Sequence, residues 1–110
     1  MNNYRIMYLR DRKGAPIGCI AIDESVPGVI GFQYSVLNPL DEFRRDVARQ
    51  IAIGRLVTRP IKINVPANIS RHEGAIRIMS EITKTVACPS RARRAAQLWL
   101  RTKAIFPAKE

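Results

Sequence analysis

Asn38-Pro39-Leu40-Asp41 divides the chain into two parts with different periodicity. Asn is a preferred helix cap, Pro is tolerated at the first helical position because its missing N–H would be unsatisfied there anyway, and an aspartate in the first turn meets the positive end of the helix dipole. The quartet predicts a helix from residue 39 to about residue 57. Within it Leu40, Phe43, Val47, Ile51 and Gly54 fall inside roughly 80° of arc at 100° per residue, a core-facing stripe with Gly54 at a close approach to a sheet.

Upstream the pattern has period two. Residues 4–10 alternate Tyr4, Ile6 and Tyr8 with Arg5, Met7 and Leu9, which predicts a strand. Asp11-Arg12-Lys13-Gly14-Ala15-Pro16 supplies a turn, and residues 17–23 return as the second arm of a hairpin. After a second turn at Ser25-Val26-Pro27-Gly28, residues 29–37 form a third strand with Ile30, Phe32, Tyr34 and Val36 on one face. Met7, Leu9, Cys19, Ala21, Gln33 and Ser35 are expected to make up the opposite, uncovered face.

Downstream, Arg59-Pro60 ends the first helix and residues 61–65 alternate as a short edge strand closed by Pro66. A second helix is expected over residues 69–85, with Ile69, Ile76, Met79 and Ile82 inward. Cys88-Pro89-Ser90 interrupts it, and Ser90 caps a third helix over residues 91–104 whose apolar side is Ala92, Ala95, Ala96 and Trp99. The expected fold is α+β: one domain over residues 1–110, with a three- or four-stranded mostly antiparallel sheet against two or three helices, in the order β-β-β-α-β-α-α.

At 110 residues, 46% hydrophobic and 25% charged, the chain can bury about two-thirds of its extended surface and needs no staple. No apolar run approaches the roughly 20 residues that span a bilayer, so no membrane partner is expected. Met1-Asn2-Asn3-Tyr4-Arg5 lacks the basic segment and apolar block of a secretory signal, which gives a cytoplasmic expectation and two reduced thiols at Cys19 and Cys88.

Charge is the outlier, with 19 Lys and Arg against 9 Asp and Glu. Residues 61–110 carry 10 basic and 3 acidic side chains, and no carboxylate lies between Ile82 and Lys109. Arginine outnumbers lysine 14 to 5, a bias that matters because a guanidinium grips a phosphate through two N–H groups. Arg44, Arg45, Arg49 and Arg55 spread along the first helix outside its apolar stripe. Arg91, Arg93, Arg94, Arg101 and Lys103 cluster in the third, and the two ridges are expected to flank a groove. A long field of one sign repels itself unless an acidic partner neutralises it.

Other chemistry finds little support. His72 is the only histidine; Ser70 and Glu73 beside it do not converge on it as a triad does, and the segment reads as Ser70 or Asn68 capping a helix with His72 on the helix face. One His and two distant Cys give no zinc spacing, and no Gly-rich loop cradles phosphate. Asp23-Glu24 and Asp41-Glu42 raise metal-dependent nuclease chemistry, yet each pair sits where acids are favoured at turns and helix starts. Tyr4, Tyr8, Phe32 and Tyr34 read as core rather than as base-stacking platforms. No cofactor and no catalytic residue is expected.

The stretch Asn38-Pro39-Leu40-Asp41-Glu42-Phe43-Arg44-Arg45, continuing into Ile51-Ala52-Ile53-Gly54-Arg55-Leu56, resembles a segment of small bacteriophage-encoded proteins. The resemblance implies a phage or mobile-element setting, with the host cytoplasm as location, and implies no activity. The element order is also similar to that of DNA-binding folds whose sheet enters the major groove, although the uncovered face expected here has few donors.

The leading expectation is a non-enzymatic nucleic-acid-binding protein that holds phosphates with arginine-rich helices, so that five or more phosphates give a log–log salt slope near roughly −4 or steeper. The alternative is an anti-CRISPR-like inhibitor of a host defence complex, which binds an acidic host protein or a nucleoprotein at its nucleic-acid site. Such a protein would use the neutral sheet face for docking or as a homodimer seam. A small metal-dependent nuclease is the third expectation.

Overall fold

The computed structural model describes residues 4–37, 42–85 and 87–104. Four strands, β1 (Arg5–Arg10), β2 (Pro16–Asp23), β3 (Val29–Val36) and β4 (Ile61–Asn64), form one antiparallel sheet in the order β1-β2-β3-β4. Helix α1 (Arg45–Thr58) enters between β3 and β4, and α2 (Arg71–Lys84) and α3 (Ser90–Trp99) follow. A π-helical turn over Leu100–Ala104 continues α3. The β-β-β-α-β-α-α order is the one the sequence predicts. No helix among the described residues is long and apolar enough to cross a membrane.

Local chemistry accounts for the connections. In the β1–β2 turn, Oδ1 of Asp11 accepts the backbone N–H groups of Lys13 and Ala15 at 2.9 and 3.0 Å, a carboxylate standing in for a backbone acceptor. Val26-Pro27-Gly28-Val29 closes with the Val29 N–H on the Val26 carbonyl at 3.2 Å. Pro27 presets the first central φ, and Gly28 takes φ +87°, as a type II turn requires. Ser70 caps α2 by accepting the Glu73 N–H at 3.1 Å.

The register sorts the side chains into two cores. Met7 lies opposite Ile20, which faces Tyr34; Phe32 and Ile30 face Ile61 and Ile63. This face, with Leu9 and Ile22, packs against Ile78, Met79 and Ile82 of α2 and Ala92 and Ala96 of α3. Each such large aliphatic residue withdrawn from water contributes about 1.5–3 kcal/mol before the cost of ordering the chain. On the opposite face Cys19 and Ala21 meet Ala52 and Leu56 of α1, with Tyr4, Ile6, Tyr8, Ala48 and Ile53 around them.

Helices therefore cover both faces, and the uncovered face expected from the sequence does not exist as such. Met7 and Leu9 belong to the α2–α3 side, whereas Cys19, Ala21, Gln33 and Ser35 alternate onto the α1 side. Small residues at Cys19, Ala21 and Ser35 leave room for α1 to lie close, and the Ser35 hydroxyl donates to the Ala48 carbonyl at 2.9 Å. Tyr8 and Phe32 likewise fall on opposite faces of the sheet. Cys19 and Cys88 are free thiols in separate cores, which rules out a bridge between them in this fold.

Helix α1 corrects the sequence reading in two ways. It starts at Arg45, with Arg44 extended at its N-cap and Glu42 and Phe43 non-helical; the cap expected at residues 38–41 lies outside the described residues. Its inward stripe is Ala52 and Leu56, with Ala48 half-buried beside them, rather than Phe43, Val47, Ile51 and Gly54. Val47 and Ile51 remain 39% and 42% exposed, and no atom from elsewhere in the fold comes within 4 Å of a Cβ added at Gly54. A sheet face of small residues selects the alanine stripe of the helix, which a count of bulky residues overlooks.

The other helices shift as well: α2 runs from Arg71 to Lys84, and Ser90 is the first residue of α3 rather than its cap, with Pro89 at the N-cap and no side-chain cap bond. Helix α2 buries Gly74, Ala75, Ile78, Met79 and Ile82, with Ile76 only half-buried. The regular part of the third helix ends at Trp99, so the expected span to residue 104 is α-helix followed by the π turn.

Gly18 marks the tightest approach in the sheet. A Cβ there would lie 2.5 Å from the Ser35 carbonyl oxygen and 3.3 Å from Cδ1 of Leu9. Because the first of these is backbone in the central pair of strands, Gly18→Ala is expected to destabilise the protein by about 2 kcal/mol, in the range of overpacking substitutions. Chemical denaturation measures this, and an unchanged midpoint would contradict the packing described.

Candidate functional site

A recess of about 520 Å³ lies between the β1–β2 turn and the outer flank of α3. One wall comes from the end of β1 and the turn and carries Arg10 and Arg12. The other comes from α3 and the π turn and carries Arg91, Arg94 and Arg101, with Gln97. Asp11, Ile17, Ala95 and Leu98 complete the lining.

Helix geometry explains the α3 wall. Ala92, Ala95 and Ala96 are buried against the sheet, so Arg91, Arg94 and Leu98, spaced three and four apart, share the flank that faces the turn. Arg93 falls on the other flank, about 200° from Arg91, and its Nε donates to the Cys88 carbonyl at 3.2 Å. Arg93 therefore leaves the expected cluster and closes the α2–α3 connection instead. Lys103 lines a smaller adjoining recess of about 250 Å³ that shares Arg10, Arg12 and Leu98 with the main one and adds Tyr8 and Trp99.

The groove carries five arginines against one carboxylate. Among the described residues the ion pairs are Arg5 with Glu24 at 2.9 Å and Arg44 with Asp46 at 3.4 Å, and neither includes a groove arginine. Asp11 is the one carboxylate in the lining, and its Oδ1 already accepts the two turn N–H groups. Nη1 of Arg91 donates to the Leu37 carbonyl at 2.7 Å, and Nη1 of Arg10 donates to the Gly14 carbonyl at 2.9 Å. Each bond fixes a guanidinium while leaving most of its five donors for another acceptor. Arg12, Arg94 and Arg101 are exposed.

The four arginines of α1 do not form the second wall of this groove, because α1 covers the opposite face of the sheet. They also divide among themselves. Arg55 donates to the Tyr34 carbonyl at 2.8 Å and Arg44 pairs with Asp46, whereas Arg45 stacks over the ring of Tyr8 at 5.2 Å. Arg49 follows Arg45 by one turn on the same flank and is exposed. Arg10 reaches the same Tyr8 ring at 5.9 Å, and Phe43 meets that ring edge-on at 6.2 Å. The two basic regions approach each other around the end of β1, where Arg10 and Arg45 share the Tyr8 ring.

Arg10 and Arg12 were absent from the cluster expected on sequence grounds. Their signal was the run Arg10-Asp11-Arg12-Lys13, which reads first as a turn; only the fold brings the turn opposite α3.

Outside the groove, several titratable groups take part in local contacts. Oδ1 of Asp23 accepts the Ser25 hydroxyl at 2.6 Å and the Ser25 N–H at 2.9 Å, and these bonds hold its carboxyl below the ordinary range. Glu24 takes both Nε and Nη2 of Arg5. Burial pushes the Cys19 thiol up to about 11, with the Arg49 cation pulling the other way, and burial with a hydrogen bond to Cys88 pushes Tyr34 up to about 12. His72 is exposed in the first turn of α2, its ring 6.1 Å from that of Trp99.

Comparison of the chain with protein-family models, with curated proteins and with solved structures gave no match.

Proposed function

We propose that the groove between the β1–β2 turn and α3 binds the phosphate backbone of nucleic acid, and that the protein acts by binding rather than by catalysis. The observation that carries this reading is the convergence of Arg10, Arg12, Arg91, Arg94 and Arg101 on one recess, none of them ion-paired among the described residues. A formal charge of +10 adds long-range attraction for a polyanion. Guanidinium groups fixed at the backbone, as Arg10 and Arg91 are, lose less freedom on meeting a phosphate.

Phosphates held by arginine release condensed counterions, so affinity falls with salt in proportion to the number engaged. Five contacts give a log–log slope of about −3.5 on single strands and about −4.5 on duplex. Fluorescence anisotropy of labelled oligonucleotides across a salt series tests this. A slope near zero, or no binding at low salt, would remove the reading.

A second reading, a phage-encoded inhibitor of a host defence complex, draws on the other side of the molecule. Val47 and Ile51 stand exposed on α1 beside Phe43, Val36 and Leu37, around a recess of about 440 Å³. Such an apolar patch suits a protein surface better than a phosphate backbone. Retention of a single host protein after nuclease treatment would favour this reading over direct nucleic-acid binding.

A further inference from the structure

We infer that the groove takes single-stranded nucleic acid, seating an unstacked base on its apolar floor while the arginines hold the flanking phosphates. The inference rests on the proposed function above and specifies its substrate.

The floor is the deciding feature. Ile17 and Ala95 are buried and Leu98 is half-buried, so the bottom of the recess offers carbon between two arginine-bearing walls. A duplex presents its phosphates on the outside of a stiff cylinder with its bases stacked within. It can meet the rims of such a groove but has nothing apolar to lower into it. A single strand has both parts, since its bases are flat, largely apolar on their faces and free to leave the stack. A guanidinium plane above such a base adds a cation–π contact.

Size and continuity agree with this. A volume of about 520 Å³ lies within the range of sites that enclose small organic ligands and admits a nucleobase with its sugar. The adjoining recess of about 250 Å³ continues past Leu98 and brings Trp99 and Lys103, an aromatic ring and a further cation. A strand that leaves the main groove by that route meets a second stacking platform, as successive bases on a single-strand-binding surface do.

The test compares three probes of equal length by anisotropy at one salt concentration: a single-stranded oligonucleotide in ribose and deoxyribose forms, the same sugar–phosphate chain made abasic, and the duplex. The expected result is that either single-stranded form binds about tenfold or more tightly than both the abasic strand and the duplex. Leu98→Asn is expected to remove most of that preference. An abasic strand that binds as well as the intact one would overturn the inference and leave the phosphate-binding groove standing. A duplex bound more tightly than either single strand would overturn it as well. Absence of binding by all probes at low salt would overturn both readings together. The wild-type comparison decides the matter even if the Leu98 variant fails to fold.

Discussion

Reversing two groove charges together, Arg94→Glu with Arg101→Glu, is expected to weaken oligonucleotide binding about 100-fold or more at physiological salt. Both side chains are exposed on the wall formed by α3 and the π turn, and neither is ion-paired among the described residues. Their replacement removes two charge-assisted contacts, each worth about 1.5–3 kcal/mol, and adds repulsion for the strand. Every 1.4 kcal/mol is a factor of ten in affinity, so roughly 3 kcal/mol gives the stated loss. Stability should change little, because Ala92, Ala95 and Ala96 hold the helix to the sheet. Arg44→Glu provides the contrast. Arg44 is already paired with Asp46 and stands at the N-cap of α1, which covers the other face, so its reversal is expected to cost less than about threefold. Equal losses from the two variants would mean that net charge, rather than the groove, governs binding.

Phe32→Ala is expected to have the largest effect on folding, about 4 kcal/mol. Phe32 is 1% exposed at the centre of β3, between Ile22 on β2 and Ile61 on β4, and its side belongs to the core beneath α2 and α3. Truncating such a ring costs about 3–5 kcal/mol through lost transfer energy and the cavity left behind. A domain of this size is stable by about 5–15 kcal/mol in all, so a large share of that margin disappears. Urea denaturation measures the loss, with Val57→Ala as the surface reference at 61% exposure and an expected change below about 0.5 kcal/mol. A Phe32 variant within 1 kcal/mol of the parent would contradict the placement of this core.

The order and type of the elements were legible because each strand and helix carries its own local signal. Alternation in residues 4–10 and 29–37, the Pro27-Gly28 turn and the Ser70 cap all act over a few residues and survive in the fold. What alternation does not supply is the pairing of faces between strands. A strand's two faces are interchangeable until its register is known, and the irregularity between Leu9 and Arg10 in the β1–β2 pairing has no marker in composition. That is why Met7 and Leu9 were grouped with Cys19 and Ala21.

The stripe on α1 failed for a related reason. Bulky residues mark a core stripe only where the facing surface has room for them, and the sheet face beneath α1 is made of small side chains that accept Ala48 and Ala52. The basic character of the α3 segment was legible because it lies in one stretch. Its other wall was not, since Arg10 and Arg12 are some eighty residues away in sequence and meet it only through the hairpin. Arg93 lies apart from Arg91 and Arg94 because adjacent helix positions are about 100° apart, so a cluster in sequence is not a cluster on one face.

The most direct measurement of the central claim is the salt dependence of single-strand binding for the parent chain and the Arg94→Glu/Arg101→Glu variant, taken side by side. Five groove arginines on phosphates predict a parent slope of about −3.5 and a variant slope shallower by roughly 1.4 or more. A steep parent slope that the double reversal leaves unchanged would show that the strand lies elsewhere on the molecule, and a flat parent slope would show that no strand is held by phosphates at all.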